Sequence, residues 1–491
     1  MTAPDTASPR AATWQSPLLL TALQWATPIA AVGLTVLWLL WGANEPGATS
    51  LIVLVAAVAA YLAMLVSSRH GTAVPMNAAI ALSGIALVMV AIAPIHHSRD
   101  LYLYNSYGRL VSVHHLNPFF HPPSSAPTDP TLGFVASRWH DQNSMYGPVF
   151  VGLAAVVASI AGTSELAIRL LWQSVIASAA FAAVLLIARR TNSSLSVLAL
   201  GCSPVILATV NDAHNDVLIG LALLGVVLLA EDHRHGLAGG LAALAIAIKL
   251  SVAFPIVAIL AWVFWRRGTR PALRLATPIA VAVGLAYLLV GGIDSLRPIQ
   301  QSAGDDSRFS LWKSLRTRQI ASLQDLGATR DGAIDAVAQN ISRYSLLLLL
   351  LCFVVVLWQY RRARHPGEAA TAAGLLLCIS AAYVMPWYGA MLLPVAMLAW
   401  SSRSTLLLQF QAAFLLIAYA NGAGNRPLTA FGKLLEHRAT WINLVMLVVL
   451  LIWARPSEQA DLPLGGLRNR FLSFNSAGRV PSARHPEEPL P

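Results

Sequence analysis

The polar residues of this chain gather in a few places between long apolar runs. The densest gathering follows the run 76–94 and opens with Arg99-Asp100-Leu101-Tyr102-Leu103-Tyr104-Asn105-Ser106-Tyr107-Gly108-Arg109. Asp100 stands just beyond an apolar stretch long enough to cross a bilayer, at the head of the polar segment 95–148, rich in His, Pro, Tyr and Arg. A carboxylate held at the lip of a membrane helix is expensive unless it has a task. Taking a proton from an attacking hydroxyl is a task that suits it, so Asp100 is the candidate general base. A helix-end charge paired with Arg99 or Arg109 is the bland alternative.

Further polar groups recur at the same ends of later apolar runs. Asn211-Asp212-Ala213-His214-Asn215-Asp216 follows one, Lys249 interrupts another, and Trp387-Tyr388 marks a third. Asp212 and Asp216 would serve equally well as helix caps, with Asp216 also able to orient His214. Lys249 would serve as a snorkelling anchor, and Trp387 as part of an interfacial aromatic belt. Arg308, Lys313 and Arg316, in a segment that also holds Asp305 and Asp306, are surface charges or anion ligands. His96-His97 and His114-His115 have no Cys or carboxylate at metal-ligand spacing, so no zinc site is expected.

The elements that must position these groups follow from composition. Of 491 residues, 56% are hydrophobic and 11% charged, and mean hydropathy is +0.63. A soluble domain carries roughly 25% charged residues; several apolar runs of bilayer-spanning length make this an all-α polytopic membrane protein. The alternation of an outer-membrane barrel is missing. The net charge of +11 comes mainly from arginines in membrane-flanking loops, as lipid headgroups and topology demand, and no nucleic-acid partner is expected. Cys202, Cys352 and Cys378 lie in or beside apolar runs and form no disulfide or metal framework.

Arg10 places the N-terminus inside. Residues 1–16 read as a cytoplasmic tail, and 17–41 as a retained helix rather than a signal peptide. Counting onward predicts about fourteen transmembrane helices within 17–453. The segment 194–210 is read as a single crossing. The segment 149–161 is too short to cross and reads as an interfacial helix. The stretch 236–264 reads as two short helices meeting near Lys249; one long helix would invert the charge bias of everything after it. Two long loops, 95–148 and 291–342, then fall on the extracytoplasmic side, together with Lys249 and Trp387. Residues 454–491 read as a disordered cytoplasmic tail, so both termini are expected in the cytoplasm. No internal repeat is evident, which weighs against inverted-repeat transporters.

The order of these features resembles the GT-C superfamily of polyprenol-phosphate-sugar-dependent glycosyltransferases. The resemblance rests on Asp100 in its motif, Asn117-Pro118-Phe119-Phe120, Tyr146-Gly147-Pro148, Asn211–Asp216 and Lys249. It covers roughly 76–255 well and the C-terminal half by helix pattern only. Within the superfamily the chain is most similar to bacterial mannosyltransferases, including the α-1,6-mannosyltransferases of actinobacterial lipoglycan assembly. The resemblance implies a GT-C-like bundle in the bacterial plasma membrane with an extracytoplasmic active site. It implies transfer of a sugar, mannose by the nearest branch with arabinose or glucose open, from β-linked polyprenyl phosphate to a lipid-linked or glycan acceptor with inversion. Asp100 would be the base, and Lys249, Arg308, Lys313 and Arg316 would be cations for the leaving phosphate, with Arg109 and His114 or His115 as lesser candidates. Tyr104, Asp212, His214, Asn215, Asp216 and Trp387 complete the expected substrate contacts. Two departures stand out. Asp100 is flanked by Arg99 and Leu101 rather than a second acid, so no divalent metal or other cofactor is expected; and the acidic residue follows the third helix, not the first. A transporter or flippase of lipid-linked sugars, or an envelope scaffold, are the competing readings.

Overall fold

The computed structural model describes residues 17–42, 48–70, 74–302, 307–420 and 429–456. The chain divides into units 1–456 and 457–491, and the described residues all fall in the first. The tail 1–16 with Arg10, the acids Asp305 and Asp306, and the tail from 457 onward lie outside the described residues. Among those described, the chain consists of α-helices, short 3-10 turns and loops, with no strand.

A backbone in hydrocarbon satisfies its own polar groups by coiling, and helices form along each apolar run. The first are α1 (Pro17–Gly42), α2 (Ala48–His70) and α3 (Met76–Ile92). Next comes α4 (Asp100–Ser112), short, polar in composition and buried along residues 101–110, packed on α5 (Pro148–Ala161). The glycine at position 108 makes that packing possible, because a Cβ there would overlap the Ala154 carbonyl. Helix α6 (Glu165–Thr191) opens on a Ser164 cap, whose hydroxyl accepts the Ala167 N–H at 3.3 Å. It is followed by α7 (Ser194–Gly201), α8 (Pro204–Asn211), α9 (Asp216–Glu231), α10 (His235–Ile248), α11 (Ala253–Arg267) and α12 (Thr269–Leu289). The second half holds α13 (Arg297–Ser302), α14 (Lys313–Asp325), α15 (Arg330–Tyr360), α16 (Pro366–Ser380), α17 (Tyr388–Ala396), α18 (Arg403–Ala420) and α19 (Ala430–Ile452). Eight described helices are long and apolar enough to cross a membrane, nine if α7 and α8 count as one; α3, α10, α16 and α17 are apolar but shorter. The chain is a polytopic helical membrane protein.

One sequence expectation needs correcting. The segment 194–210 is not one straight crossing: α7 and α8 meet at 43°, because Pro204 withholds an N–H and its ring forbids a continuous helix. The segment 291–342, read as a long polar loop carrying interfacial helices, holds α13, α14 and the first turns of α15.

Polar contacts show which helix ends lie together. At one end, Arg190 of α6 pairs with Glu231 (2.8 Å) and Asp232 (3.3 Å), and His365 Nδ1 lies 2.6 Å from Glu231 Oε1. Arg267, closing α11, reaches His233 just before α10 at 2.7 Å. Helix α11 therefore returns to the level from which α10 departs. The two form a hairpin whose tip is Lys249, in extended conformation between α10 and the 3-10 turn Leu250–Val252. The other end of the bundle collects this tip, the start of α9 and the start of α4.

Candidate functional site

Helix α4 begins at Asp100, whose N–H donates to Ser98 Oγ at 3.2 Å. Tyr104 lies four residues on and so on the same helix face. Both point at one nitrogen: His214 Nδ1 is 3.7 Å from Asp100 Oδ2 and 3.5 Å from the Tyr104 hydroxyl. The longer distance exceeds hydrogen-bond reach, so the imidazole faces the carboxylate without binding it. Burial pushes the Asp100 carboxyl above its ordinary range; Ser98 and the charges of Arg138 and Lys249 pull the other way, and Asp216 adds to the rise. Burial and the Lys249 ammonium hold His214 well below its usual value, so the ring is neutral.

The turn between α8 and α9 supplies the facing wall. Ala213 takes a left-handed conformation (φ 54°), which turns His214 inward to stack on Trp387, ring centroids 3.6 Å apart at 15°. Asp212 Oδ1 accepts the N–H groups of His96 (3.1 Å) and His97 (2.9 Å). Asp216 opens α9 but does not orient His214, as its spacing suggested. Its two oxygens hold Lys249 Nζ at 2.9 and 3.1 Å, and that ammonium sits 4.4 Å above the Tyr388 ring. Among the described residues, His214 Nε2 and both side-chain amide atoms of Asn215 are buried with no protein hydrogen-bond partner.

Asp212, His214 and Trp387 line a concavity open to one side; Asp100, Tyr104, Asn215, Asp216 and Lys249 are not among its lining residues. Asp212, His214, Trp387, His97, Ser98 and Arg138 give it a polar side; Val205, Ala208, Leu416 and Ala420 are among its apolar lining. A few convergent polar groups on an otherwise apolar concavity suit a ligand with a polar head and a hydrocarbon body.

Other candidates are engaged elsewhere. Arg109 Nε donates to both oxygens of Asp129 (3.0 and 2.8 Å) and Nη1 to Gly162 O, while His114 Nε2 is 2.6 Å from Asp129 Oδ2. Lys313 pairs with Glu436 at 2.9 Å. Arg308 and Arg316 are not among the residues lining the cavity. Sequence reasoning missed Asp129 and Arg138. Asp129 had a faint signal, two residues before Thr131, whose N–H and hydroxyl it accepts at 2.9 and 2.7 Å, an Asx-turn pattern. Arg138, in the 3-10 turn Ser137–Trp139, had none.

A helical membrane bundle with a carboxylate, a neutral imidazole and an indole beside a largely apolar cavity has the parts of an intramembrane group-transfer enzyme. Residues 11–266, just over half of the chain, match the MptA_B family, described as alpha-(1->6)-mannopyranosyltransferase, N-terminal domain. The chain belongs to this family, and so to the mannosyl-transferring glycosyltransferases. No curated protein matches it. The matched region carries Asp100, Tyr104, Arg138, the 211–216 turn and Lys249; Trp387 lies beyond it.

Proposed function

We propose that the chain is an inverting mannosyltransferase that takes mannose from β-linked polyprenyl phosphate and delivers it to a lipid-linked or glycan acceptor. The reaction takes place on the extracytoplasmic side of a bacterial plasma membrane, with about fourteen crossings, extracytoplasmic loops over 95–148 and 291–342, and both termini in the cytoplasm. Asp100 is the general base. The acceptor hydroxyl attacks the sugar C1 from the face opposite the phosphate as its proton passes to the Asp100 carboxylate. The C1–O bond to phosphate breaks with its electron pair, leaving a phosphate monoester. Developing charge on that oxygen calls for a fixed cation, and Arg138 on the cavity wall is the best placed, with Lys249 behind it. Tyr104, His214, Asn215 and Trp387 surround the sugar, and the apolar wall holds the first prenyl units. Phosphate is already a good leaving group, so the reading needs no cofactor.

The observation that carries this reading is the proximity of a carboxylate, Asp100, its side chain 14% exposed, to the buried His214 on the wall of a largely apolar cavity, within the family-matched half of the chain. The test is purified full-length protein in lipid nanodiscs with polyprenyl-phosphate mannose, arabinose or glucose and lipid-linked acceptors, with products read by mass. Mannosyl transfer that disappears in Asp100→Asn supports the proposal. Transport of the lipid-linked sugar across proteoliposomes without transfer, or an active Asp100→Asn variant, overturns it.

A further inference from the structure

The strap between α3 and Asp100, residues 93–98, has little regular backbone bonding of its own and is held by side chains from elsewhere. Asn211 Nδ2 donates to the carbonyls of Val90 (3.1 Å), Ala93 (3.4 Å) and Pro94 (2.9 Å). These are acceptors that a helix end leaves without intrahelical partners. Gln173 Nε2 bridges Ala93 O (2.9 Å) to Asn211 O (2.7 Å), and Arg169 adds a bond to Ala93 O at 2.7 Å. The next peptides belong to Asp212, whose Oδ1 takes the N–H groups of His96 and His97. Trp38 packs against both of those imidazoles, at 4.8 and 4.9 Å. Asn211 and Asp212 are both buried, and these side-chain hydrogen bonds all go to backbone that leads to Asp100, with the His97 imidazole 3.7 Å from Asp212 Oδ2 and Asp212 also reaching the cavity wall.

Resting on the glycosyl-transfer reading of Asp100, we propose that Asn211 and Asp212 are positioning residues: they fasten the 93–98 strap and act through Asp100 rather than on the substrate. The electrostatics agree with that geometry. Burial, with Asp100 as a like-charged neighbour, pushes the Asp212 carboxyl up to about 7, against the three backbone N–H groups that favour its charged form. The ionisable groups facing Asp212 are His96 and His97 from the strap and Asp100 from α4. Those facing Asp100 are Asp212, His214, Asp216 with Lys249, Arg138 and the phenols of Tyr104, Tyr107, Tyr146 and Tyr388. Asp100 is the charged neighbour against which Asp212 titrates, so Asp212 is still protonated as Asp100 ionises; Asp212→Asn keeps that neutral state and the acceptor oxygen, and leaves both the strap and the Asp100 carboxyl as they were.

The test compares Asp212→Asn with Asp212→Ala and Asn211→Ala in the full chain, all checked for unchanged elution and helix content. Two readouts are used: transfer kinetics across pH, and modification of Asp100 by dicyclohexylcarbodiimide, which captures buried protonated carboxyls, mapped by mass. In Asp212→Asn the amide oxygen still accepts both N–H groups. Transfer on the plateau falls by no more than about tenfold, and the acid limb and the half-modification pH of Asp100 stay where they are in the wild type; they move only in the alanine variants, where the strap that holds Asp100 in place is lost. In the two alanine variants the strap is released, and kcat falls by about 100-fold with donor KM within about threefold. The proposal is overturned if Asp212→Asn loses as much as Asp212→Ala with a matching rise in donor or acceptor KM, the mark of a substrate contact. It is equally overturned if the half-modification pH of Asp100 is the same in Asp212→Ala and Asn211→Ala as in the wild type. That second readout needs no sugar, so it separates failure of this inference from failure of the transferase reading.

Discussion

Lys249 and Asp216 meet as a two-point ion pair, Nζ lying 2.9 and 3.1 Å from the two carboxylate oxygens with Asp216 only 1% exposed. The pair ties the tip of the α10–α11 hairpin to the start of α9. Gly147 docks beside it, its N–H donating to Ile248 O at 2.9 Å where a Cβ would overlap the Ala247 carbonyl. The Tyr146-Gly147-Pro148 motif thus sets the hairpin tip from the other side.

Breaking one side of a buried pair leaves an uncompensated charge, at about 3–5 kcal/mol. Lys249→Ala should therefore melt well below the wild type, and Lys249→Met combined with Asp216→Asn should recover much of the loss. Thermal unfolding of the full chain in detergent checks this. A Lys249→Ala variant with an unchanged melting temperature and only a raised donor KM would instead make Lys249 a phosphate ligand first.

Asp100→Asn keeps the size of the side chain and the bond from its N–H to Ser98, but cannot take a proton. General-base catalysis contributes about 10²–10⁴ in rate; a loss of that size is expected in kcat with the melting temperature unchanged. A loss under fivefold would assign the proton transfer to another group.

Because burial raises the Asp100 carboxyl, the base becomes ionised only as pH climbs above the ordinary carboxylate range of about 4. Transfer should rise with pH through that limb and then level off. A kcat/KM profile already flat at pH 4 contradicts the assignment.

Arg138→Gln removes the cation on the cavity wall while leaving the buried core untouched. A charged hydrogen bond is worth about 1.5–3 kcal/mol, so donor KM should rise by about tenfold to a hundredfold. Titration with polyprenyl phosphate, against polyprenol as control, reads the same loss without catalysis.

Asp129 gives an acid-stability prediction. Burial opposes its charge, but bonds from His114, Thr131 and Arg109 win and hold its carboxyl at about 2. A depressed carboxylate stabilises the fold fully above its unfolded value near 3.9, and that contribution is lost as pH falls through the folded value of about 2. Between those limits the wild type should lose stability steeply, whereas Asp129→Asn, weaker at neutral pH, should show a flatter dependence by chemical denaturation.

Much of this arrangement was legible in the residues themselves. Apolar runs announce helices because hydrocarbon leaves the backbone no other solution, and the hairpin at Lys249 follows from arginines at both ends of one long run. Asp100, Tyr104, His214 and Trp387 stood out as polar or aromatic groups at the ends of such runs, and they do meet. What the sequence hid were the partners. Arg109 looks like an anion ligand until Asp129, twenty positions away, is seen beneath it, and Lys313 until Glu436 is. Periodicity does not report pairings across loops or between distant helices. Arg138 sits in an irregular loop where nothing distinguishes it from other arginines. The bend between α7 and α8 was written in Ser203-Pro204, but the hydrophobic run around it masks the break.

Helix α15 has 31 residues, about 46 Å at 1.5 Å each, against a hydrocarbon thickness of about 30 Å. The surplus falls at its first turns, which carry Arg330, Asp331, Asp335 and Arg343, with α14 packed alongside; at the opposite terminus Arg361 stacks on Trp358 at 3.5 Å. A rod that overshoots its solvent by this margin takes up hydrophobic mismatch by leaning. In thinner or thicker bilayers a helix of this length is expected to change its tilt, carrying with it α14, which packs along it.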